Sequence, residues 1–322
     1  MDKVRPGIGQ TAFAKGSPLP PDGLAADAQR FGDLPAGALS AGDIEALDRL
    51  AEMMRHRRVA LLTGAGLSTD SGIPDYRGPD SAPRQPLTYQ EFVGDPLLRQ
   101  RYWARNHIGW AHMHRAEPNV GHFAAAALER AGHLTGIVTQ NVDRLHEDAG
   151  ASNVVDLHGR FDQVVCMNCQ TTYSRSFLAT ILAELNPGFL EAVNGAPIGP
   201  DADADIADEL LIASFKIAKC PLCGGMLKPD FVFFGENVPK ERVERSFAMV
   251  EAAELLLVAG SSLTVMSGLR FVKRAAKDLK HVVIINRGET RGDPLANAKL
   301  ETGVGESLSY LAGALGLDWH NR

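Results

Sequence analysis

Residues 57–78 read RRVALLTGAGLSTDSGIPDYRG. Val59 to Thr63 form a short apolar run that stops at Gly64 and Gly66. The run is too short for a helix and is bounded by glycine, so it reads as a buried strand entering a tight turn. The same grammar returns at LTGIVTQN (134–141), ELLLVAGSS (254–262) and HVVIINRG (281–288). Helical stretches precede the last three: NVGHFAAAALERAG (119–132), KERVERSFAMVEAA (240–253) and SGLRFVKRAAKDLK (267–280). Fully apolar strands alternating with helices predict an α/β fold, a Rossmann-like doubly wound parallel sheet covered on both faces. In such sheets ligands bind beyond the carboxyl ends of the strands. The polar residues that close each run are therefore the natural site-formers.

The glycine loop is not the usual dinucleotide fingerprint. That fingerprint is Gly-x-Gly-x-x-Gly, and its sixth position here is Thr69. The acidic ribose ligand expected about 20 residues on is also missing, because PDSAPRQPLTYQEF after Gly78 reads as a loop. The Gly-Lys-Ser/Thr of a P-loop is absent too. Gly64 and Gly66 still permit close backbone approach to a pyrophosphate, and Ser68 and Ser71 offer hydroxyls. Taken alone, the loop leaves its ligand open.

Four cysteines fall in two close pairs, CMNC (Cys166, Cys169) and CPLC (Cys220, Cys223). Two Cys-x-x-Cys knuckles supply four thiolates for a tetrahedral Zn²⁺ with no open position, hence a structural site. A redox motif would need only one pair. Structural zinc contributes roughly 10–16 kcal/mol, as much as a domain's whole stability, so loss of one cysteine is expected to unfold the region around it.

The organisation expected is an extended leader over 1–40, a nucleotide-binding domain over 41–161 and 228–322, and an inserted zinc-ribbon-like module over 162–227. The leader carries five Pro and six Gly with no clean period. The first helix should begin at Ser40, where SAGD has capping-box spacing and Ile44, Leu47, Leu50 and Met54 follow. The acidic stretch NGAPIGPDADADIADE (194–209) reads as a solvated loop of the insert.

The chain has 322 residues, 45% hydrophobic and 22% charged, with a formal net charge of −6. That balance fits a globular protein and argues against nucleic acid or an anionic membrane as a partner. No apolar run reaches the roughly 18–20 residues of a membrane span, and no export signal is evident at MDKVRPGIGQ. A bacterial cytoplasmic location is the expectation. Oligomeric state is not legible.

Several further motifs stand in order along the chain. TQNVDRLH (139–146) sets Gln140, Asn141 and Asp143 after the second strand, and DLHGRF (156–161) holds His158. KPDFVFFGE (228–236) follows the second cysteine pair, and GSSLTV (260–265) and INRGET (285–290) close the third and fourth strands. With the glycine loop and the cysteine spacing, this set resembles the sirtuins, the NAD-dependent protein-lysine deacylases, over about residues 43–315. PDYRG, YWARN (102–106), KPDFVFFGE and INRGET resemble the class II branch most.

The resemblance implies an enzyme that consumes NAD, releases nicotinamide, and moves the acyl group of a modified protein lysine onto ADP-ribose. Gly64, Ala65, Gly66 and Ser68 match the phosphate and ribose contacts. Asp75, Tyr76 and Arg77 match a loop that closes over NAD. Gln140, Asn141 and Asp143 match residues beside nicotinamide and its ribose, the last two with a part in catalysis. Gly260, Ser261 and Ser262 match phosphate and ribose contacts; Asn286, Arg287 and Gly288 match adenosine contacts, with Val304 near the adenine. His158 matches the general base, its ordinary pKa near 6.5 leaving it mostly neutral at cellular pH. Among the ten histidines, His146 reads instead as packing or capping. Val232, Phe233 and Gly235 would pair with the substrate backbone, opposite Leu263 to Val265.

The acyl group stays open. Tyr102 and Arg105 stand at i, i+3, and a Tyr-x-x-Arg pair at this place in the family holds acidic acyl chains. Acetyl, dicarboxylic and lipoyl groups all fit the branch. So does protein ADP-ribosylation on the same scaffold; a third reading, from another class, is a zinc-stabilised NAD-sensing or nucleic-acid-binding module without turnover. Retention of His158, Asn141 and Asp143 argues against the last.

Overall fold

The structure is a computed structural model that describes residues 39–75, 86–193, 195, 197 and 204–319. Helix α1 (Ala41–His56) begins where the capping box places it. Asp43 N–H donates to Ser40 Oγ (3.2 Å), and Ser40 N–H donates to the Asp43 carboxylate (2.9 Å). These bonds satisfy amides that the first turn leaves open, while Leu47, Leu50 and Met54 face the core.

Strands β1 (Val59–Thr63), β2 (Leu134–Thr139) and β3 (Val154–Asp156) come first. β4 (Gly159–Cys166), β5 (Thr172–Ser174) and β6 (Leu227–Phe231) form a separate sheet. β7 (Leu255–Ala259), β8 (His281–Ile285) and β9 (Ala298–Leu300) complete the first sheet. Its order is β3-β2-β1-β7-β8-β9, and every pairing is parallel. This is the strand order of the doubly wound dinucleotide fold, with the reversal between β1 and β7.

All five residues of β1 and of β7 are buried, because helices cover both faces. On one face Ala60, Leu62, Leu256, Val258 and Ile284 pack with Met249 and Val250 of α9 (Lys240–Ala252) and with Phe271 and Val272 of α10 (Met266–Lys277). Residues of opposite parity, Leu61, Leu257 and Ile285, are equally buried and face the other way. On that side α4 (Val120–Arg130) packs against α11 (Val304–Ala314), which also touches α1.

The second layer is the antiparallel sheet β5-β4-β6. Its core joins Phe161, Val164 and Leu227 to Leu178 of α6 (Arg175–Leu185), Phe189 of α7 (Phe189–Ala192) and Ile212 of α8 (Glu209–Ser214). It also takes in Phe92 of α2 (Tyr89–Gly94) and Trp103, Trp110 and Met113 of α3 (Pro96–Arg115). This layer runs differently from the expected insert. The cuts after residue 161 and before residue 228 fall inside β4 and β6, and α2 and α3 lie outside 162–227. An insert of that size buries too little apolar surface by itself, so it borrows aromatic side chains from the segment after β1. Of the acidic stretch, most of 194–203 lies outside the described residues, as do 1–38 of the expected leader. Among the described residues, no helix is long and apolar enough to cross a membrane.

Candidate active site

The order reversal leaves a crevice beyond the carboxyl ends of β1 and β7. Two loops meet there closely. Gly64 N–H donates to Ala259 O (3.2 Å), and Gly66 N–H donates to Gly260 O (2.9 Å). A Cβ on Gly64 would stand 2.7 Å from Gly260 O, and one on Gly260 would stand 2.6 Å from Leu67 N. Gly260 also has φ +69°, a conformation that disfavours any side chain. The glycines of GAG and GSS thus serve each other, a need beyond the approach to a phosphate inferred from spacing.

Past Gly64 the chain makes a short 3-10 turn, Ala65–Leu67, and delivers Ser68, which is 1% exposed. Ser68 Oγ–H donates to Asp143 Oδ2 (2.6 Å) and accepts from Asn141 Nδ2 (2.9 Å); the same amide group donates to Gly64 O (3.1 Å). Asp143 Oδ1 accepts from Leu145 N–H, opening α5 (Leu145–Asp148). Gln140 Nε2 donates to Ser261 Oγ (2.7 Å) and to Thr63 O (3.2 Å). The ends of β1, β2 and β7 are therefore tied by side chains that were each expected to touch NAD.

His158 lies between β3 and Gly159. Its Nδ1 is 2.9 Å from Gln140 O, and its Nε2 is 2.7 Å from Ser267 Oγ in the first turn of α10. A carbonyl only accepts, so Nδ1 carries the proton and Nε2 keeps its lone pair. Burial pulls the His158 pKa down to about 4, against the upward pull of the Gln140 carbonyl. The imidazole is neutral at cellular pH and has one basic nitrogen, as a general base requires.

Where adenosine contacts were expected, Asn286 follows β8, and its Nδ2 donates to Arg287 O (2.7 Å). Gly288 has φ +80°. Val304 opens α11 and is buried, so its backbone rather than its side chain is available. The glycine loop reaches this end through Asp70, whose Oδ2 would be 3.0 Å from a Cβ on Gly305. Burial, with Glu306 beside it, raises the Asp70 pKa, while Arg287 opposes the rise. Ser262 Oγ is 3.0 Å from Thr264 Oγ1. Asp75 is half-buried; Tyr76 and Arg77 lie outside the described residues.

The expected peptide edge is partly occupied. Val232 N–H donates to His158 O (2.7 Å) and Phe233 N–H donates to Glu236 Oε2 (2.9 Å). Those two donors are engaged within the chain. Gly235, with φ +77°, leaves room for Gln90, whose Oε1 would be 2.8 Å from a Cβ. Lys228, buried, donates to Phe231 O (2.5 Å) and pairs with Glu236 (3.1 Å), which fixes the turn. In the segment expected to face this edge, Leu263 N–H donates to Ser261 Oγ (3.2 Å).

Tyr102 and Arg105 share α3 but go to different neighbours. The Tyr102 ring packs edge-on against Phe92 and Phe233, at 5.3 and 5.4 Å between centroids. Arg105 Nε donates to Ala204 O (2.6 Å), and its guanidinium is 4.0 Å from the Asp205 carboxylate. Arg105 thus already faces a carboxylate of its own chain.

The four cysteines come together apart from this crevice. All four Sγ atoms lie within 4.8 Å of one another, Cys166 and Cys223 at 3.5 Å and Cys169 and Cys220 at 3.8 Å. A tetrahedron with Zn–S bonds of about 2.3 Å has edges of about 3.8 Å, so the donor set and spacing fit Zn²⁺. Each pair sits in a knuckle: Gln170 N–H donates to Cys166 O (2.9 Å) and Gly224 N–H to Cys220 O (2.8 Å). Tyr173 OH lies 3.1 Å from Cys220 Sγ.

Sequence reasoning did not find Ser267, Asn119 or Tyr173. Asn119 caps α4, yet its Nδ2 also donates to Leu67 O (2.7 Å) and Ser71 Oγ (3.0 Å), bracing the glycine loop. A capping signal was present there, but the tertiary bonds carry none. His146 is buried, with Nε2 2.9 Å from Thr63 Oγ1, in keeping with a packing role.

The Sir2 family model matches residues 64–267. A Mycobacterium avium (strain 104) protein named NAD-dependent protein deacetylase 1 is 54% identical over 269 residues, covering 83% of this chain and 94% of that protein. A Streptomyces coelicolor protein of the same name is 50% identical over 287 residues, covering 88% and 93%. A solved structure described as Sir2-p53 peptide-NAD+ is 29% identical with a TM-score of 0.66, over 83% of this chain and 98% of that one. With its order of strand-end loops and its cysteine cluster in place, this chain belongs to the Sir2 family.

Proposed function

We propose that this chain is an NAD-dependent protein-lysine deacetylase that releases nicotinamide and free lysine and forms O-acyl-ADP-ribose. The observation that carries the reading is His158: a neutral, oriented imidazole whose Nδ1–H is held by the Gln140 carbonyl, while the Gln140 side chain reaches Ser261 and the next residue, Asn141, joins Ser68 and Asp143. NAD, as co-substrate, supplies the ribose hydroxyl that takes the acyl group. The glycine loops and Ser261 and Ser262 would hold its phosphates and ribose, and Asn286, Arg287 and Gly288 with the Val304 backbone its adenosine. Asn141 and Asp143 would stand beside the nicotinamide end. His158 would accept the proton of the ribose hydroxyl at Nε2, a positioned-base contribution of roughly 10²–10⁴ in rate. The peptide would lie along Val232 to Gly235.

Zn²⁺ on Cys166, Cys169, Cys220 and Cys223 would hold β4, β5 and β6 together and take no part in the chemistry, since four thiolates leave no open position. The relatives named above are bacterial, and a cytoplasmic place of work belongs to the same proposal.

The test is His158→Ala assayed with NAD and an acetyl-lysine peptide. Deacetylation should fall by at least about 100-fold with zinc content unchanged. Full activity would sink the assignment.

A further inference from the structure

Ser267 carries an inference that rests on the deacetylase reading and goes beyond it. It sits in the first turn of α10, where Ser often caps a helix through its hydroxyl. Here the cap residue is Val265, no side chain caps the helix, and the Ser267 hydroxyl turns to His158 Nε2 at 2.7 Å. With Nδ1–H given to the Gln140 carbonyl, Ser267 Oγ must be the donor and Nε2 the acceptor. Both ends of the ring are thus held.

The Ser267 backbone is itself well placed. The next residue, Gly268, packs so tightly on Gln140 that a Cβ would lie 2.5 Å from Gln140 Oε1. Gln140 in turn holds His158 through its carbonyl and Ser261 through its amide group. One glutamine therefore fixes the distance between α10 and the imidazole. Leu263, at φ +55° and buried, shows that the segment from Gly260 to Ser267 keeps its path at some backbone cost.

We propose that Ser267 is a positioning residue for the general base: it orients His158 and holds Nε2 unprotonated until the substrate hydroxyl replaces it. On arrival of substrate, Nε2 exchanges one hydroxyl donor for another, and the ring need not rotate. No bond other than hydrogen bonds changes at Ser267. The substrate proton then passes to Nε2, and His158 becomes the imidazolium.

Donation to Nε2 favours the neutral ring, so removing Ser267 moves the His158 pKa upward. The charged groups that act on His158 are Arg270 of α10 and Arg242 of α9, and both remain. The experiment measures kcat and KM for NAD against pH, with a saturating acetyl-lysine peptide, for wild type, Ser267→Ala and Ser267→Thr. Ser267→Ala should lower kcat roughly 10-fold, part of what a positioned base contributes. It should leave KM for NAD within about two-fold and shift the acid limb of kcat to higher pH. Ser267→Thr, which keeps the hydroxyl, should restore both. A Ser267→Ala enzyme with wild-type kcat and an unmoved acid limb overturns the proposal. So does a Ser267→Thr enzyme as impaired as Ser267→Ala, because the effect would then be packing. If the alanine variant folds poorly, the threonine variant alone decides, by keeping or losing the wild-type acid limb. A wild-type chain without NAD-dependent deacetylation overturns the deacetylase reading and this proposal with it, which separates that failure from the others.

Discussion

Arg105 shows how one residue's neighbours bear on substrate choice. Its guanidinium faces the Ala204 carbonyl and the Asp205 carboxylate, so an acidic acyl chain would compete with Asp205 for the same cation. We expect acetyl-lysine to be turned over faster than succinyl-lysine, and Asp205→Asn to narrow the gap several-fold. A mass-spectrometric panel of acyl peptides reads both, and a preference for succinyl in the wild type would contradict the expectation. Gly260 makes a sharper case. Its φ of +69° and the 2.6 Å from its Cβ position to Leu67 N leave no place for a methyl group. Gly260→Ala should cost about 2–3 kcal/mol in denaturant unfolding, at the upper end of ordinary substitutions, whereas an unchanged midpoint would contradict the close packing. His107 is 3% exposed among Phe189 and Phe215, and burial with Arg175 nearby lowers its pKa to about 4. The folded state keeps it neutral while the unfolded chain takes a proton below about 6.5, so stability falls as pH drops from 6.5 toward 4. The loss approaches 1.4 kcal/mol per pH unit for such a group, and His107→Phe should flatten the slope in thermal melts between pH 7 and 5. Part of this scale was legible: the spacing of two Cys-x-x-Cys pairs carries its chemistry in one dimension, and the four Sγ atoms do come together. Ser267 was not legible, because only the folded α10 brings it to a histidine 109 positions earlier.

Among the elements, the long apolar runs announced β1, β2, β7 and β8, since burial on both faces demands continuous apolar sequence. β3 and β9 escaped notice. Each is three residues long, VVD and AKL, too short to show a period. The second sheet was legible only at its zinc knuckles. Its share in α2 and α3 was not, because the pairing of Phe92 and Trp103 with residues beyond 160 is a tertiary fact. Metal is expected to govern β4, β5 and β6. Chelation, or Cys220→Ser, should remove amide protection from 159–174 and 227–231 before the parallel sheet loses its own, as hydrogen exchange would show. Simultaneous loss everywhere would mean that the two layers fold as one. Tyr173 adds a finer test: with Cys220 bound to zinc as a thiolate, only the Tyr173 hydroxyl, 3.1 Å from its Sγ, can donate, and that bond would steady the ligand. Tyr173→Phe should release zinc about 10-fold faster to a chromogenic chelator.

The molecule as a whole joins two layers, the parallel sheet and the antiparallel zinc layer. The parallel sheet, through its order reversal between β1 and β7, gathers glycine loops, amides and one neutral imidazole at a single crevice. The zinc layer, with α2 and α3, carries the turn at 232–236 that would receive a peptide. The order of the strand-end motifs along the chain was readable from sequence, whereas the junction between the layers was not. The central claim is NAD-dependent deacetylation, and product stoichiometry tests it most directly. Wild-type protein, NAD and an acetyl-lysine peptide should give nicotinamide, free-lysine peptide and O-acetyl-ADP-ribose in equal amounts by mass spectrometry. Nicotinamide released with ADP-ribose attached to protein and the acetyl group still on lysine would contradict it.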